Sequence, residues 1–569
     1  MKKCFLLALW VGCFAFSSNC VLAQLTPGVG GIFNVRDFGA TGDGKTLDTT
    51  AISLAISVAA KAGGGTVLFP AGVYVTGTFE LRSNITLDLL AGATIKGSQS
   101  LGDYDSIETY GLGHNYGVNS SGEGTKVGII FGRNVENVAI IGQGTIDGTG
   151  DDFFDFSKPH LSLDFDPAST RQGPTSEQAL HQIADGPVEF KPEGRPGTMI
   201  ACFGCRNVLF RDVTLRDAPN WTVHLQNAEH AIVSGVHIFN DPLLPNNDGF
   251  DCFGCKDVHF SDCDIHTGDD DFAIVNSRDI SVVNCSLTSR SSGIRVEATE
   301  YGTFSNLSIH SNRGIAIYER GAGKTDHLIF SNIVIETQLY GGHWWGKGEP
   351  IYIVAAKPSA PGTGEVSDVL FSGITGEAES SIVLYGSPDA PLRDTRLSDV
   401  HFTLRTTRKD VSDTVGGNFD FRWTAIDRSQ AVFKHDIPGI FGRYCNGLHI
   451  HDFSVQWRGQ NPGFFSSAIQ LEDFRDLDLN GFEGKQAPDS TAPVISLTRG
   501  NGVAIRNSKV ESGSGTFVFT SHVQGEKLFS GNDVSDANAV FGGDRSSFHT
   551  YGDVLPGAKA KRQSTSPRL

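Results

Sequence analysis

The sequence predicts an all-β chain wound into one parallel β-helix, with a short N-terminal capping helix and loops inserted between coils. Three observations carry that expectation. Gly supplies 68 of 569 residues, well above the usual ~7% share, whereas charged residues are only 19% and no long Ala/Glu/Lys/Leu stretch suggests a helical bundle. Short β-branched runs recur after polar turn residues: Asn207-Val208-Leu209-Phe210, His230-Ala231-Ile232-Val233, Asp257-Val258-His259-Phe260, Asp279-Ile280-Ser281-Val282, Thr303-Phe304-Ser305-Asn306 and His327-Leu328-Ile329-Phe330. Counted on Val208, Ile232, Val258, Ile280, Phe304 and Leu328, the steps are 24, 26, 22, 24 and 24 residues. A unit of that length holding several short strands fits one turn of a solenoid, whereas a propeller blade needs ~40–50 residues. A hydrophobic share of 39% is not that of a disordered chain.

From the N-terminus, Met1-Lys2-Lys3, the apolar run Cys4–Phe16 and Val21-Leu22-Ala23 before Gln24 read as a secretory signal peptide over 1–23. An N-terminal membrane anchor is the competing reading. No later segment approaches ~18 uninterrupted apolar residues, so no membrane span is expected. Cleavage after Ala23 leaves 44 Lys and Arg against 64 Asp and Glu, a net charge of -20, which argues against non-specific nucleic-acid binding. The expected location is the periplasm or the exterior, as a monomer. Thr50–Lys61 places Ile52, Ala55, Ile56 and Ala59 at helical spacing, with Asp48, Thr49 and Thr50 as N-cap oxygens and Gly63-Gly64-Gly65 as the stop. Such a helix would close the open end of the stack.

The same grammar appears at Asn84-Ile85-Thr86-Leu87, Asn137-Val138-Ala139-Ile140 and Asp368-Val369-Leu370-Phe371, and again near Leu448, Val503 and Leu528. One solenoid domain over 24–548 follows. Asp151–Pro196, Tyr340–Gly364 and about Leu404–Tyr444 interrupt it and read as loops that shape one face. Residues 549–569 read as a disordered tail. Seven cysteines remain after the signal: Cys202, Cys205, Cys252, Cys255, Cys263, Cys285 and Cys445. Cys202-Phe-Gly-Cys205 and Cys252-Phe-Gly-Cys255 have zinc-site spacing, but both lie in repeat contexts, which favours buried thiols or a disulfide over metal.

The densest acidic constellation is Asn246-Asn247-Asp248-Gly249-Phe250-Asp251 followed by Gly268-Asp269-Asp270-Asp271. Asp248 and Asp269 are 21 residues apart, close to one coil, and stacked coils sit ~4.8 Å apart. Like charges this close raise at least one pKa, which suits a general acid beside a base. Turn-capping Asp residues and a calcium site are the alternatives.

Further stretches carry a resemblance. Phe33-Asn34-Val35-Arg36-Asp37-Phe38-Gly39-Ala40-Thr41-Gly42-Asp43-Gly44, Gly63–Gly72, Pro219-Asn220-Trp221, Asn246-Asn247-Asp248-Gly249 and Gly268-Asp269-Asp270 resemble glycoside hydrolase family 28, the polygalacturonase-like right-handed β-helix enzymes. The resemblance covers roughly 33–337. It implies inverting hydrolysis of a polysaccharide or oligosaccharide without a metal or other cofactor. Asp269 would protonate the leaving oxygen, while Asp248 and Asp270 would activate the water. Inversion typically needs an acid–base separation of ~6.5–9.5 Å, more than strand stacking alone supplies.

Two departures bear on the substrate. Ser291-Ser292-Gly293 stands where the family usually has Gly-His-Gly, and Ala316-Ile317-Tyr318 where it has Arg-Ile-Lys. Losing both cationic positions, in an acidic chain, argues against unmodified homogalacturonan and for another pectin-type or related plant polysaccharide, such as one containing rhamnose. Asn246, Ser292, Arg295, Glu297, Tyr318 and Arg320 are the expected substrate contacts; an exposed charge ladder competes for Arg295, Glu297, Glu319 and Arg320. Trp344, Trp345 and Lys347 in a Gly-rich segment offer stacking faces and a cation to a sugar. Trp221 reads as structural, and His266 as either a surface residue or a proton carrier. A β-helix polysaccharide lyase and a non-catalytic carbohydrate-binding solenoid are the competing functions.

Overall fold

A computed structural model describes residues 31–112, 125–161, 166–174, 186–355, 364–422, 431–544 and 548–557. The expected signal peptide and the basic end of the tail lie outside the described residues. Parallel strands form two long ladders, a 27-stranded sheet and a 15-stranded sheet. Each typical coil adds one short strand to the smaller sheet and one long or two short strands to the larger. Alternate side chains point inward, so that Phe210, Val233, Phe260, Val282, Phe304 and Phe330 stack in one buried column. Rings continue this stacking where they meet, with Phe304, Phe330 and Phe371 nearly parallel, their centroids 4.6 and 5.0 Å apart.

The repeat is indexed by a corner rather than by the β-branched residues. Asn207, His230, Asp257, Asp279, Tyr301 and His327 all have φ between 53° and 58°, and each is followed by the first inward residue of a strand. Asn and Asp tolerate this left-handed conformation because their short polar side chains bond locally. Asn137 donates to Asn84 at 2.8 Å and Asn207 to Asn137 at 2.9 Å, which locks successive corners together. The true column is Val208, Ala231, Val258, Ile280, Gly302, Leu328. Two of the residues counted in the sequence therefore move: Ile232 points outward and is 52% exposed, and Phe304 lies one inward position beyond Gly302. Ala231 and Gly302 are too small to mark a core position by hydrophobicity.

The capping helix is Thr49–Lys61, with Ala51, Ile52, Ala55, Ile56 and Ala59 buried. It rests on the strands Ile32–Asn34, Gly65–Phe69, Phe79–Glu80 and Ile85–Leu89. The expected side-chain N-cap is absent: the Asp48 carboxylate instead accepts Thr41 N–H at 2.8 Å and Gly42 N–H at 3.0 Å. The first and third insertions form small units. Phe154–Pro159 pairs antiparallel with Val188–Phe190. The third insertion holds the helix Lys409–Val415 and the antiparallel pair Asn418–Asp420 with Val432–Lys434. The coil column continues across the second and third, Leu328 to Val369 and Thr395 to Leu448. The expected disorder from residue 549 is also corrected, because His549–Tyr551 pairs with Leu528–Ser530.

All seven cysteines are buried free thiols. Cys202 and Cys252 share one inward column but are separated by Leu225. Two steps of ~4.8 Å put the two pairs roughly 10 Å apart, too far to share one tetrahedral ion with ~2.3 Å bonds.

Candidate active site

The acidic motifs sit where two neighbouring coils enter the smaller sheet, just before the strands Phe250–Phe253 and Phe272–Val275. Glycine lets the coils touch there. A Cβ on Gly249 would lie 2.4 Å from the Asp271 carbonyl oxygen, and one on Gly268 2.3 Å from that of Leu244. Gly249 N–H donates to Asp270 C=O at 2.9 Å. Asn247, the position where the resembled motif has Thr, clamps both motifs: its side chain accepts from Gly268 N–H at 2.6 Å and donates to Asp241 C=O at 2.8 Å.

Asp248, Asp269 and Asp270 are consequently brought together, each offering one oxygen within 4.8 Å of the others. They are 4%, 7% and 5% exposed, so they are too deep to be turn caps on the surface. Burial, then the neighbouring Asp270, pushes Asp269 up to about 7. Burial and the carboxylates of Asp269, Asp251 and Asp270 push Asp248 well above the usual range. Asp269 accepts from Asn246 N–H and Nδ2, both at 3.2 Å. Asp270 accepts from Ser292 N–H at 3.1 Å and the Ser291 hydroxyl at 3.2 Å, and faces the Arg295 guanidinium at 3.5 Å. A calcium ion would need six to eight oxygens, yet the cluster is ringed by N–H donors from Asn246, Ser292 and Arg295. The oxygen spacing is also shorter than the separation typical of an inverting pair.

The other expected contacts divide. Arg295 and Glu297 meet at 3.5 Å, and Arg320 forks onto both Glu297 oxygens. This is a relay of charges leading away from Asp270, not an exposed ladder, since Arg295 is buried and Glu297 and Arg320 are partly so. Arg295 occupies the register position beside Ala316, so a cation remains in the site one coil away from the lost one. Glu319 leaves the site: it accepts from Ala298 N–H and Thr325. Asn246 is committed to holding Asp269, and Ser292 meets Asp270 through its backbone. Tyr318 is buried, its hydroxyl bonded by Arg313 and pushed up to about 12 by that burial.

Of the two tryptophans expected to stack on a sugar, only Trp345 keeps a partly open side chain. Trp344 is buried, and Arg422 covers Trp345 at 4.3 Å from the ring centre. Lys347 is buried beside them, its ammonium lowered to about 8 by desolvation. Trp221, read as structural, also stands partly open, with edge contacts to His224 at 5.2 Å and Phe253 at 5.5 Å. His266 pairs with Asp264 on its own strand.

Sequence reasoning missed several groups. Asp251 and His224 are fully buried register neighbours whose polar atoms have no protein partner. Burial raises the first well above the carboxylate range and lowers the second to about 3. Asp251 was visible in the acidic motif; His224, three residues after Trp221, had no signal beyond a strand pattern. Arg195 bonds Pro219 C=O, Pro245 C=O and Asn246, tying the first insertion to the Asp269 support.

Two family descriptions match: "Right handed beta helix region" over residues 198–355 and "Rhamnogalacturonase A/epimerase, pectate lyase-like" over 32–156. A Vitis vinifera protein described as a probable polygalacturonase is 31% identical over 250 residues, 43% of this chain and 44% of its own. An exo-poly-alpha-D-galacturonosidase of Dickeya chrysanthemi is 26% identical over 345 residues, 57% of this chain and 53% of its own. The chain thus spans about half the length of these curated relatives. The solved Yersinia enterocolitica family 28 exopolygalacturonase superposes with a TM-score of 0.48 at 17% identity, over 78% of each chain. With its stacked parallel coils and its paired Asp motifs, the chain is a right-handed parallel β-helix protein that resembles the polygalacturonase-like enzymes of glycoside hydrolase family 28.

Proposed function

We propose that the protein is an exported O-glycosyl hydrolase that cleaves a pectin-type polysaccharide. The observation that carries this reading is the buried convergence of Asp248, Asp269 and Asp270, with Asp269 poised near neutrality. A carboxyl with a pKa near the working pH can hold a proton for the leaving oxygen and still release it. Asp270, the one of the three facing a cation, takes the proton of the attacking water. Asp248, held toward its neutral form, orients that water through a hydrogen bond. Inversion rests on the resemblance and not on the carboxylate separation. Export rests on the Met1–Ala23 pattern.

The finer substrate reading is a glycan other than unmodified homogalacturonan. Ser292 and Tyr318 replace two cations, Tyr318 is tied to Arg313, and Arg295 is already balanced by Asp270 and Glu297. A uronate carboxylate would therefore meet compensated charge in the cleaving subsite. A screen of defined homogalacturonan, rhamnogalacturonan and neutral oligosaccharides, with product anomers followed by NMR, tests all parts. Hydrolysis with inversion on a rhamnose-containing substrate is expected. Turnover of homogalacturonan as the best substrate would overturn the substrate reading, and retained configuration the stereochemistry.

A lyase remains the second reading for one reason: Arg295 is a buried cation 3.5 Å from Asp270, near where a proton-abstracting base would stand. An unsaturated product absorbing at short ultraviolet wavelengths would establish it.

A further inference from the structure

The outer face of the larger sheet carries a second group of convergent ligating side chains. His449 and His451 stand two residues apart on the strand Cys445–Trp457, with Leu448 and Ile450 buried between the coils. Alternation therefore sends both imidazoles outward. The next coil sets Asp478 directly opposite His449, between the buried Leu477 and Leu479. The side chains of His449, His451 and Asp478 are 36%, 42% and 23% exposed, so a small ion can reach all three. Among the described residues, this is the one cluster besides Asp248, Asp269 and Asp270 in which three such groups turn ligand atoms within 4.8 Å of one another.

The distances differ from those of the ordinary His–Asp pairs on the same sheet. His259, His266 and His401 each close on an aspartate two residues before them at 2.8, 3.0 and 2.9 Å. At Asp478 a single oxygen, Oδ2, is shared by two imidazoles, 3.3 Å from His451 Nε2 and 3.8 Å from His449 Nδ1. Metal bonds of 2.0–2.1 Å at tetrahedral angles put two ligand atoms roughly 3.3–3.4 Å apart. The His451 edge has that length, and the His449 edge is longer by roughly 0.4 Å. The two rings cross at 84° rather than stack, which lets one nitrogen of each turn to the same oxygen.

Asp478 is also held from behind, since its other oxygen is bonded by Arg506 of the following coil. An outer partner of this kind fixes the direction of a ligating carboxylate. Arg506 and Arg396, which stands opposite His449 on the preceding coil, are the neighbouring cations. Both reach solvent, which screens their repulsion of an added ion.

We propose that His449, His451 and Asp478 form a surface site for one divalent transition-metal ion of the zinc class, bridging the coil of Cys445–Trp457 to that of Arg475–Asn480. Two imidazoles and a carboxylate suit zinc, and three protein ligands leave a fourth position open to water. The unfolded chain does not hold the three ligands together, so the bound ion stabilises the stack. The site lies five ladder steps beyond Ser281, on the coil that follows Asp269 and Asp270. That is about 24 Å along the stack, so the site is separate from glycan cleavage.

The untagged full chain, stripped with a chelator and dialysed, is titrated with Zn²⁺ by calorimetry and with Co²⁺ by visible absorption. His449→Gln, His451→Gln and Asp478→Asn are titrated beside it. The expected result is one equivalent of Zn²⁺, the intense visible bands of four-coordinate Co²⁺, and a zinc-dependent rise in Tm. Each substitution should lower the affinity by at least about 100-fold, the upper end of what loss of an outer partner costs, and remove the bands and the rise in Tm. The two glutamine variants should melt with the wild type when zinc is absent, because both side chains point out of the stack. Equal zinc binding by all three variants would assign the ion to Asp248, Asp269 and Asp270 and overturn the site. Failure of the wild-type chain to bind either ion, or the pale spectrum of six-coordinate Co²⁺, overturns it as well.

Discussion

Replacing Asp269 by Asn separates what the proposed catalytic acid does for chemistry from what it costs the fold. The Asp269 carboxyl is held at about 7 instead of its ordinary 3.8. Between those values the folded chain keeps a proton that the unfolded chain has released, so this group's contribution to stability falls as pH rises from about 4 to about 7 and is constant above. At about 1.4 kcal/mol per tenfold change, the penalty at neutral pH reaches about 4 kcal/mol. An amide of the same shape does not titrate and is spared it. Turned so that its oxygen keeps both Asn246 donors, the amide sets its NH2 against the Asp270 N–H, a repulsion that subtracts from the gain. The Asp269→Asn protein should therefore melt higher than wild type at pH 7, by up to roughly 4 °C for a chain of this length, where about 1 kcal/mol corresponds to about 1 °C. Near pH 4 the two should melt together. Glycan cleavage should meanwhile fall by about 10²–10⁴-fold, the usual contribution of a positioned acid. Paired thermal melts at the two pH values, with a reducing-sugar assay, measure both. Retained activity, or a variant that melts lower by the same amount at both pH values, would refute the assignment of a buried, proton-holding catalytic acid.

Three other outcomes follow from the same geometry. Cleavage rate should decline above about pH 7, as Asp269 loses its proton, and a rate profile still rising at pH 8.5 (a test value set about 1.5 above that pKa) would contradict the role. Arg295→Ala strands Asp270 and Glu297 without their shared cation; denaturant unfolding at pH 7 should show a loss of about 3–5 kcal/mol, and Arg295→Lys should recover part of it. Gly249→Ala forces a methyl to 2.4 Å from the Asp271 carbonyl, so it should cost about 1–3 kcal/mol in a urea melt and depress activity by moving the two acidic motifs apart.

The solenoid and its acidic motifs were readable because both depend on local rules. Asn and Asp corners mark coils, alternation marks strands, and Gly249 and Gly268 mark places where backbones touch. The exact column differs at Ile232 and Phe304 because His230 and Tyr301 occupy corners usually given to Asn or Asp, and because the inward residues there are Ala231 and Gly302. The relay Arg295–Glu297–Arg320 was nameable from the sequence, since neighbouring coils bring near-repeats into contact. Its burial was not, because that depends on segments tens of residues away. The same limit explains Trp344 and Trp345. Their Gly-rich surroundings looked like an open loop, yet Arg422, from a different insertion, closes over them. Asp420 and Arg313 form a buried network across 107 positions, a distance no periodicity reports.

The left-handed corners make each coil an independent address. Leu328 meets Val369 and Thr395 meets Leu448 in the same column, although the intervening segments differ in length and architecture. Whatever leaves the stack at a corner must return to the next one, so the ladder beneath is insensitive to what is spliced into it. The segments around the site can therefore be exchanged without repacking the coils. A change of glycan would be reached by trading the segments between coils, while Asp248, Asp269 and Asp270 keep their places.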